Sequence, residues 1–473
     1  MTQPVDDAAR RRRHRNERIV AVAGVSLLIA ALIAFIRWNA NEEERFHREK
    51  TYIPPKVAMT PAIRALQEYV RIDTSNPPGN EIAGAKFLAN VLARNGIRSE
   101  IIESAPGRAS LYARVRGRRP GEGLLLLSHI DVMPADPKVW KRPPFRADIE
   151  LATLYGRGAI DMKSIAICQL AAFIGVARSG RQPERDIVFL AVADEETGGA
   201  LGMHWLVEHR PDLLDGIRYA IGEGGVTEMI ADRPTYFAIE IGAKQYVRLL
   251  FEADSMEPLL KLRRMMEPDF GGWEPERILP EVRKYFRELA PSRRMIREEL
   301  SDIDTTIAHG RFWRLLKPYR DLTQNNVWIH WPQTDDHGAS ARGYMLLLPD
   351  EDPLVRIAWV RRKAEALGIR TRVVTVEPRT PLSSPESPMF RIIVNAASRE
   401  YRVPAGAMIL HRSSNDLRYL RRLGIDCYGI SPYLVDAFQT ATIHGVDEQI
   451  RLDRFERGVE LTRKIVGRWA AGE

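Results

Sequence analysis

Cysteine is nearly absent. Only Cys168 and Cys427 occur in 473 residues, which excludes a disulfide-stapled scaffold. Cys168 lies in an apolar, helix-like run and Cys427 in a strand-like one. Both read as buried free thiols, with one bridge between them as the alternative. Internal repeats, low-complexity tracts and heptad runs are missing too, so nothing indicates a solenoid or a coiled coil. A large charge excess is also lacking over most of the chain. The formal net charge is +8, but residues 1–18, with six arginines against Asp6, Asp7 and Glu17, supply +3 of it and leave +5 for the rest. The basic balance therefore partly reports a tail, and no nucleic-acid partner is expected.

Long apolar runs are scarce, and one stands out. Residues 19–36 form an uncharged apolar stretch directly after the arginine cluster. Its 18 residues make a helix of roughly 27 Å, close to the ~30 Å hydrocarbon core of a bilayer. A cleavable leader would have a shorter apolar core and a small-residue cleavage site. Trp38 stands where an interfacial aromatic belongs, and the arginines should stay cytoplasmic. The reading is a single-pass signal anchor at 19–36 after a basic cytoplasmic tail at 1–18, with a charged and then proline-containing stalk at 37–57. A buried core helix or a cleaved leader is the alternative. The rest of the chain is then periplasmic or otherwise extracytoplasmic.

The chain is too long for one ordinary domain, and its apolar fraction of 45% is enough for sizeable cores. Residues 60–71 and 82–95 have helical periodicity. Residues 124–127 and 187–192 are short, continuous apolar runs, the mark of strands buried on both faces. Between them, 165–177 is apolar all round and reads as a buried helix. Residues 219–221 and 236–241 are further strands. This alternation predicts an α/β sheet. Beyond residue 242 the character changes: a strand at 246–251, a charged helical stretch at 258–320, strands at 326–331 and 342–348, a helix at 354–367 and a strand at 371–376. Residues 378–388 read as a return linker. A strand at 426–430 and an amphipathic helix from 452 bring back the α/β style. The predicted organisation is an α/β catalytic domain built from 58–241 and 379–473, interrupted at 242–378 by an α+β, ferredoxin-like domain.

The polar residues that follow the strands carry the chemistry. Ser128-His129-Ile130-Asp131 follows the first buried strand, and His129 could bind a metal while Asp131 orients its imidazole. Asp161 lies on a glycine-rich turn before the buried helix. Asp194-Glu195-Glu196 follows the 187–192 strand, where adjacent carboxylates can divide the work between metal and base. Gly222-Glu223-Gly224-Gly225 follows the next strand, and His444 lies on a loop far downstream. Singly, each motif has an ordinary reading as a turn or a solvated pair. Jointly they sit where open α/β sheets bind ligands, at the carboxyl ends of strands. Two histidines with three or four carboxylates suit zinc, manganese or cobalt. One carboxylate shared between two ions would make a two-metal clamp.

At these residues the sequence resembles the di-zinc family of aminoacylases, carboxypeptidases and dipeptidases, nearest its carboxypeptidase S and N-acyl-amino-acid hydrolase branch. The similar text is SHIDVMP (128–134), LYGRGAIDMK (154–163), ADEETGG (193–199), GEGG (222–225), SSNDLRY (413–419) and TIHGVDE (442–448). The resemblance implies that His129, Asp161 and Glu223 hold one zinc and that Glu196, Asp161 and His444 hold the other. It makes Glu195 the general base and Asp131 the support of His129. It also implies a cis Asp161–Met162 peptide and substrate-side roles for Asp416 and Arg418. The implied substrate is a small peptide or an N-acyl amino acid, and the implied assembly is a homodimer through the inserted domain. One departure stands out: where the family carries a lid histidine, residues 253–258 read Ala-Asp-Ser-Met-Glu-Pro. His309, His330 or His337 could substitute, and the alternative for each is an ordinary surface or structural histidine. The rival reading is a non-catalytic, metal-loaded binding relative tethered at the membrane surface.

Overall fold

The computed structural model describes residues 57–473 apart from 226, 231–232, 267–276, 312–314, 316, 337 and 411–414. The predicted tail, anchor and all but the last residue of the stalk lie outside the described residues. Among the described residues no helix is long and apolar enough to cross a membrane.

The framework is a nine-stranded mixed sheet. Across it the strands run Glu100–Ala105, Arg108–Val115, Ile187–Val192, Gly123–His129, Ile217–Gly222, Asp426–Gly429, Arg233–Ala243 and Ala405–Leu410, with Thr227–Ile230 paired to Arg233–Ala243. The four strands at its centre, from Ile187–Val192 to Asp426–Gly429, are mutually parallel. Their carboxyl ends therefore share one edge, and that edge carries the site.

Burial on both faces explains the continuous apolar runs. Leu124 and Leu126 enter one core, against the helices Pro61–Val70, Lys163–Ala177 and Leu452–Ala470. Leu125 and Leu127 enter the opposite core, against Met203–His209 and Leu417–Arg421. Each such leucine contributes roughly 1.5–3 kcal/mol by leaving water. Helix Pro61–Val70 begins where Thr60 Oγ1 accepts the Ile63 N–H at 3.2 Å, with Pro61 in the first turn. Helix Pro388–Tyr401 starts in the same way, with Ser387 Oγ accepting from Phe390 N at 3.0 Å.

A second, five-stranded antiparallel sheet has the order Asn326–Ile329, Gly338–Leu347, Gln245–Ala253, Arg370–Val376, with Gln333–Asp335 against Gly338–Leu347. Val247, Leu249 and Phe251 meet Leu259, Leu262, Ile357 and Val360 of the helices Met256–Met266 and Pro353–Glu365 in a core of their own. Tyr246 and Arg248, alternating with them, point the other way. The charged helical stretch divides in space. Its first helix serves this sheet, whereas Val282, Tyr285, Phe286 and Leu289 of Pro280–Leu289 pack on Tyr236 and Met408 at the edge of the main sheet.

Candidate metal centre

His129 is the last residue of its strand and is buried. Its Nδ1 lies 2.9 Å from the main-chain oxygen of Asp131 and 3.5 Å from that residue's carboxylate. A carbonyl only accepts, so Nδ1 carries the proton and Nε2 is directed to the site. The expected orienting contact thus comes chiefly from the backbone of Asp131. Its carboxylate has a different task, accepting the N–H groups of Glu195 and Glu196 at 3.1 Å each and the Asn76 amide at 2.9 Å. It holds the turn that presents both glutamates. That turn starts at Asp194, whose φ of 69° is in the left-handed region, and whose carboxylate accepts from Asn76, Arg108 and Leu201 N.

Asp161 stands at the centre. Its Oδ1 is 3.1 Å from His129 Nε2 and its Oδ2 is 3.0 Å from His444 Nε2. Glu223 lies 3.8 Å from His129 Nε2, and Glu196 lies 3.2 Å from His444 Nε2. His129, Asp161 and Glu223 form one group whose donor atoms lie within 4.8 Å of one another, and Asp161, Glu196 and His444 form a second. The Asp161–Met162 peptide is cis. Glu448, fully buried, fixes the turn before it: one oxygen accepts Ile160 N at 2.7 Å and Asp161 N at 3.1 Å, and the other pairs with Arg157 at 2.8 Å and accepts Gly158 N at 2.9 Å. Gly224, with φ +125°, lets the loop of Glu223 pass over Glu240, whose Oε2 would lie 2.1 Å from an added Cβ. Glu240 in turn binds Arg421 at 2.9 Å and Asn415 at 2.7 Å.

The electrostatics fit a pair of divalent cations. Burial alone would raise Asp161, but the hydrogen bonds from His129 and His444 hold it well below the usual carboxylate range. Hydrogen bonds to Asp161 and Glu196 lift His444 to about 10. Burial opposes the proton on His129, yet Glu223, Asp131 and Asp161 outweigh it and raise its affinity. Burial and nearby Asp161 push Glu223 up to about 7. Burial, with Glu223 alongside, lifts Glu195 well above its ordinary value. Crowded carboxylates are thus seeking positive charge, and both imidazoles point a ring nitrogen at the carboxylate between them. Metal ions would replace those protons.

Glu195 and Asp416 line a small cavity with His129 and Glu223. Asp416 is buried, which pushes its carboxyl up to about 6. Arg418 reaches Gly198 O at 3.2 Å, at the end of the glutamate turn. His309 closes the helix Ile303–Ala308, and His330 lies over Tyr344 of the second sheet; His337 lies outside the described residues. Asn76, Glu240 and Glu448 were not among the predicted site residues. A buried acid within an apolar strand, as in Tyr236-Phe237-Ala238-Ile239-Glu240-Ile241, was the available signal for Glu240.

Comparison with known proteins bears on the family and the fold. Aminoacylase-1A of Rattus norvegicus is 25% identical over 428 residues, covering 87% of this chain and 96% of that one. The fold is similar to that of the M20 family metallo-carboxypeptidase Sso-CP2 from Sulfolobus solfataricus, with a TM-score of 0.68 at 18% identity over 87% of this chain and 100% of that one. It is similar also to human carnosine dipeptidase 1, with a TM-score of 0.66 at 15% identity over 86% of this chain and 96% of that one. The model of peptidase family M20/M25/M40 matches residues 125–468, a span that runs from the strand of His129 past His444 into the last helix. The chain therefore belongs to peptidase family M20/M25/M40 and is a hydrolase.

Proposed function

We propose that the protein is a zinc-dependent amide hydrolase that releases an amino acid from a small peptide or an N-acyl amino acid. The observation that carries this reading is the pair of ligand groups sharing Asp161, with Glu195 beside Glu196 on one turn. Similarity to proteins named aminoacylase, metallo-carboxypeptidase and dipeptidase supports the substrate class. Imidazole and carboxylate donors suit zinc, and manganese or cobalt as well. Two such ions, when bound, polarise the amide carbonyl and acidify a water.

The remaining work belongs to the chain. His129, Asp161 and Glu223 would hold one ion, and Asp161, Glu196 and His444 the other. Glu195 takes a proton from the attacking water as the new C–O bond forms. It gives that proton to the amide nitrogen as the C–N bond breaks, which restores the carboxylate and yields an acid and a free amine. Arg418, next to Asp416, forks onto the substrate carboxylate. The second sheet, within 242–378, serves as the lid and as the surface for a homodimer. Residues 19–36 tether the enzyme to the membrane, with the N-terminus cytoplasmic and the catalytic part outside. The arginine cluster and the apolar run support that placement. No nucleic-acid partner is involved.

Full-length protein, screened for free amino acid released from dipeptides, N-acetyl and long-chain N-acyl amino acids, tests the reading. Release that stops with a chelator is expected. No release from any of these, with two ions still bound, would overturn it in favour of the metal-loaded binding relative.

A further inference from the structure

A cavity of about 320 Å³ lies between the two sheets. One wall is the end of the glutamate turn, Thr197 and Gly198, together with Arg418, Tyr419 and Arg422. The other is the open face of the second sheet, with Tyr246, Arg248 and Thr375. Arg418 ties this space to the catalytic turn through Gly198 O at 3.2 Å. Its charges do not balance. Arg248, Arg418 and Arg422 face it, and Glu377, 3.9 Å from Arg418, is the carboxylate among its lining residues. His204, also on the wall, is matched by Glu208 at 3.2 Å. Arg248 lies over the Tyr246 ring, 5.4 Å from its centroid. Among the described residues neither Arg248 nor Arg422 has a carboxylate partner.

We propose that this cavity selects substrates whose released amino acid is dicarboxylic. The inference rests on the amide-hydrolase reading and adds the substrate class. The lining leaves an excess of two positive charges. A monocarboxylate would satisfy one of them, whereas a dicarboxylate satisfies both, with one carboxylate on Arg418 and the other between Arg248 and Arg422. The cavity has room for a whole amino-acid side chain, and the Tyr246 and Tyr419 rings would flank the methylenes. A second cavity, of about 160 Å³, adjoins Asp161 and Glu223 and is lined by Ile165, Val435 and Ile443. That apolar space receives the uncharged acyl side, so the amide lies across the metal centre in one direction.

The test compares N-acetyl-glutamate, N-acetyl-aspartate, N-acetyl-leucine and N-acetyl-lysine on the full-length enzyme. The acidic pair is expected to have the higher kcat/KM. Arg248→Gln and Arg422→Gln should each lower the acidic-to-neutral ratio by about tenfold, the loss expected for a charged hydrogen bond. Arg248→Lys should restore part of the ratio, and Arg248→Glu should move the preference toward N-acetyl-lysine. Calorimetric titration with free L-glutamate and L-leucine gives a readout without turnover. Tighter binding of glutamate, weakened about tenfold by Arg248→Gln, is expected. Equal ratios for glutamate and leucine in the unsubstituted enzyme, or a ratio untouched by both glutamine variants, would overturn the proposal. If no amide is cleaved, the hydrolase reading falls, and the glutamate titration alone decides for or against the cavity.

Discussion

Glu195 and Glu196 are adjacent yet have different surroundings. Glu196 turns toward His444 at 3.2 Å, while Glu195 faces the cavity shared with Glu223 and Asp416. In the mechanism proposed above, position rather than residue type divides ligand from base. Glu195→Gln keeps shape and hydrogen bonding but cannot carry the proton. Turnover should fall by about 10²–10⁴-fold with metal content unchanged, as activity assays alongside elemental analysis would show. Retained activity would remove Glu195 from the mechanism. A second consequence concerns pH. In metal-free protein His444 titrates at about 10, above its ordinary 6.5. The folded value is the higher one, so the stability it adds is complete below about pH 6.5 and is lost as pH rises toward 10. A ligating imidazole is neutral, so bound metal removes this dependence. Thermal midpoints between about pH 6 and 10 should decline from this source in chelated protein but not in loaded protein. Equal slopes would show that His444 is not drawn between Asp161 and Glu196. His129, Asp161 and Glu223 stood out in the sequence because each follows a strand or lies on a glycine-rich turn, and His444 as a loop histidine far downstream; the structure brings the four into the two candidate ligand groups. The main task of the Asp131 carboxylate did not stand out, since its partners are backbone N–H groups that no motif records.

At the scale of elements, the strands Gly123–His129 and Ile187–Val192 were legible because burial on both faces leaves an unbroken apolar run in each. The outer pair, Glu100–Ala105 and Arg108–Val115, was not: exposed positions in the first and half-buried ones in the second interrupt the pattern. The strand Ala405–Leu410 was also missed, although it is apolar. The charged stretch at 258–320 is mostly helical among its described residues, but amphipathicity says that a face is covered without saying by what. Hence Pro280–Leu289, expected with the inserted domain, lies on the main sheet through Tyr285 and Phe286. The turn before Asp161 depends on an element far away in sequence, the segment bearing Glu448. Glu448→Ala would strand the Arg157 guanidinium, which is buried, and free three backbone N–H groups. A loss of about 3–5 kcal/mol is expected, read by chemical denaturation, together with weaker metal binding. Unchanged stability would mean that the turn holds itself.

Over the whole molecule, residues 57–473 form one compact unit. Its two cysteines are buried and unpaired. Burial pushes the Cys427 thiol up to about 12 and the Cys168 thiol well above its ordinary value. Neither should react with a thiol reagent in the native state, and both should react at the rate of unfolding; fast labelling of either would show local opening of its core. The sheet is also interleaved. The strand Asp426–Gly429 lies between Ile217–Gly222 and Arg233–Ala243, and His444 and Glu448 complete the site begun at His129. Synthesis runs from the N-terminus, so a nascent chain has made His129, Asp161 and both glutamates long before it has the residues that finish the centre. A chain that stops before His444 has neither the second imidazole nor the carboxylate that braces Asp161. With the ligand set proposed above, hydrolytic power arrives only with the final segment, and a polypeptide still on the ribosome, or broken off early, is silent toward any amide it meets.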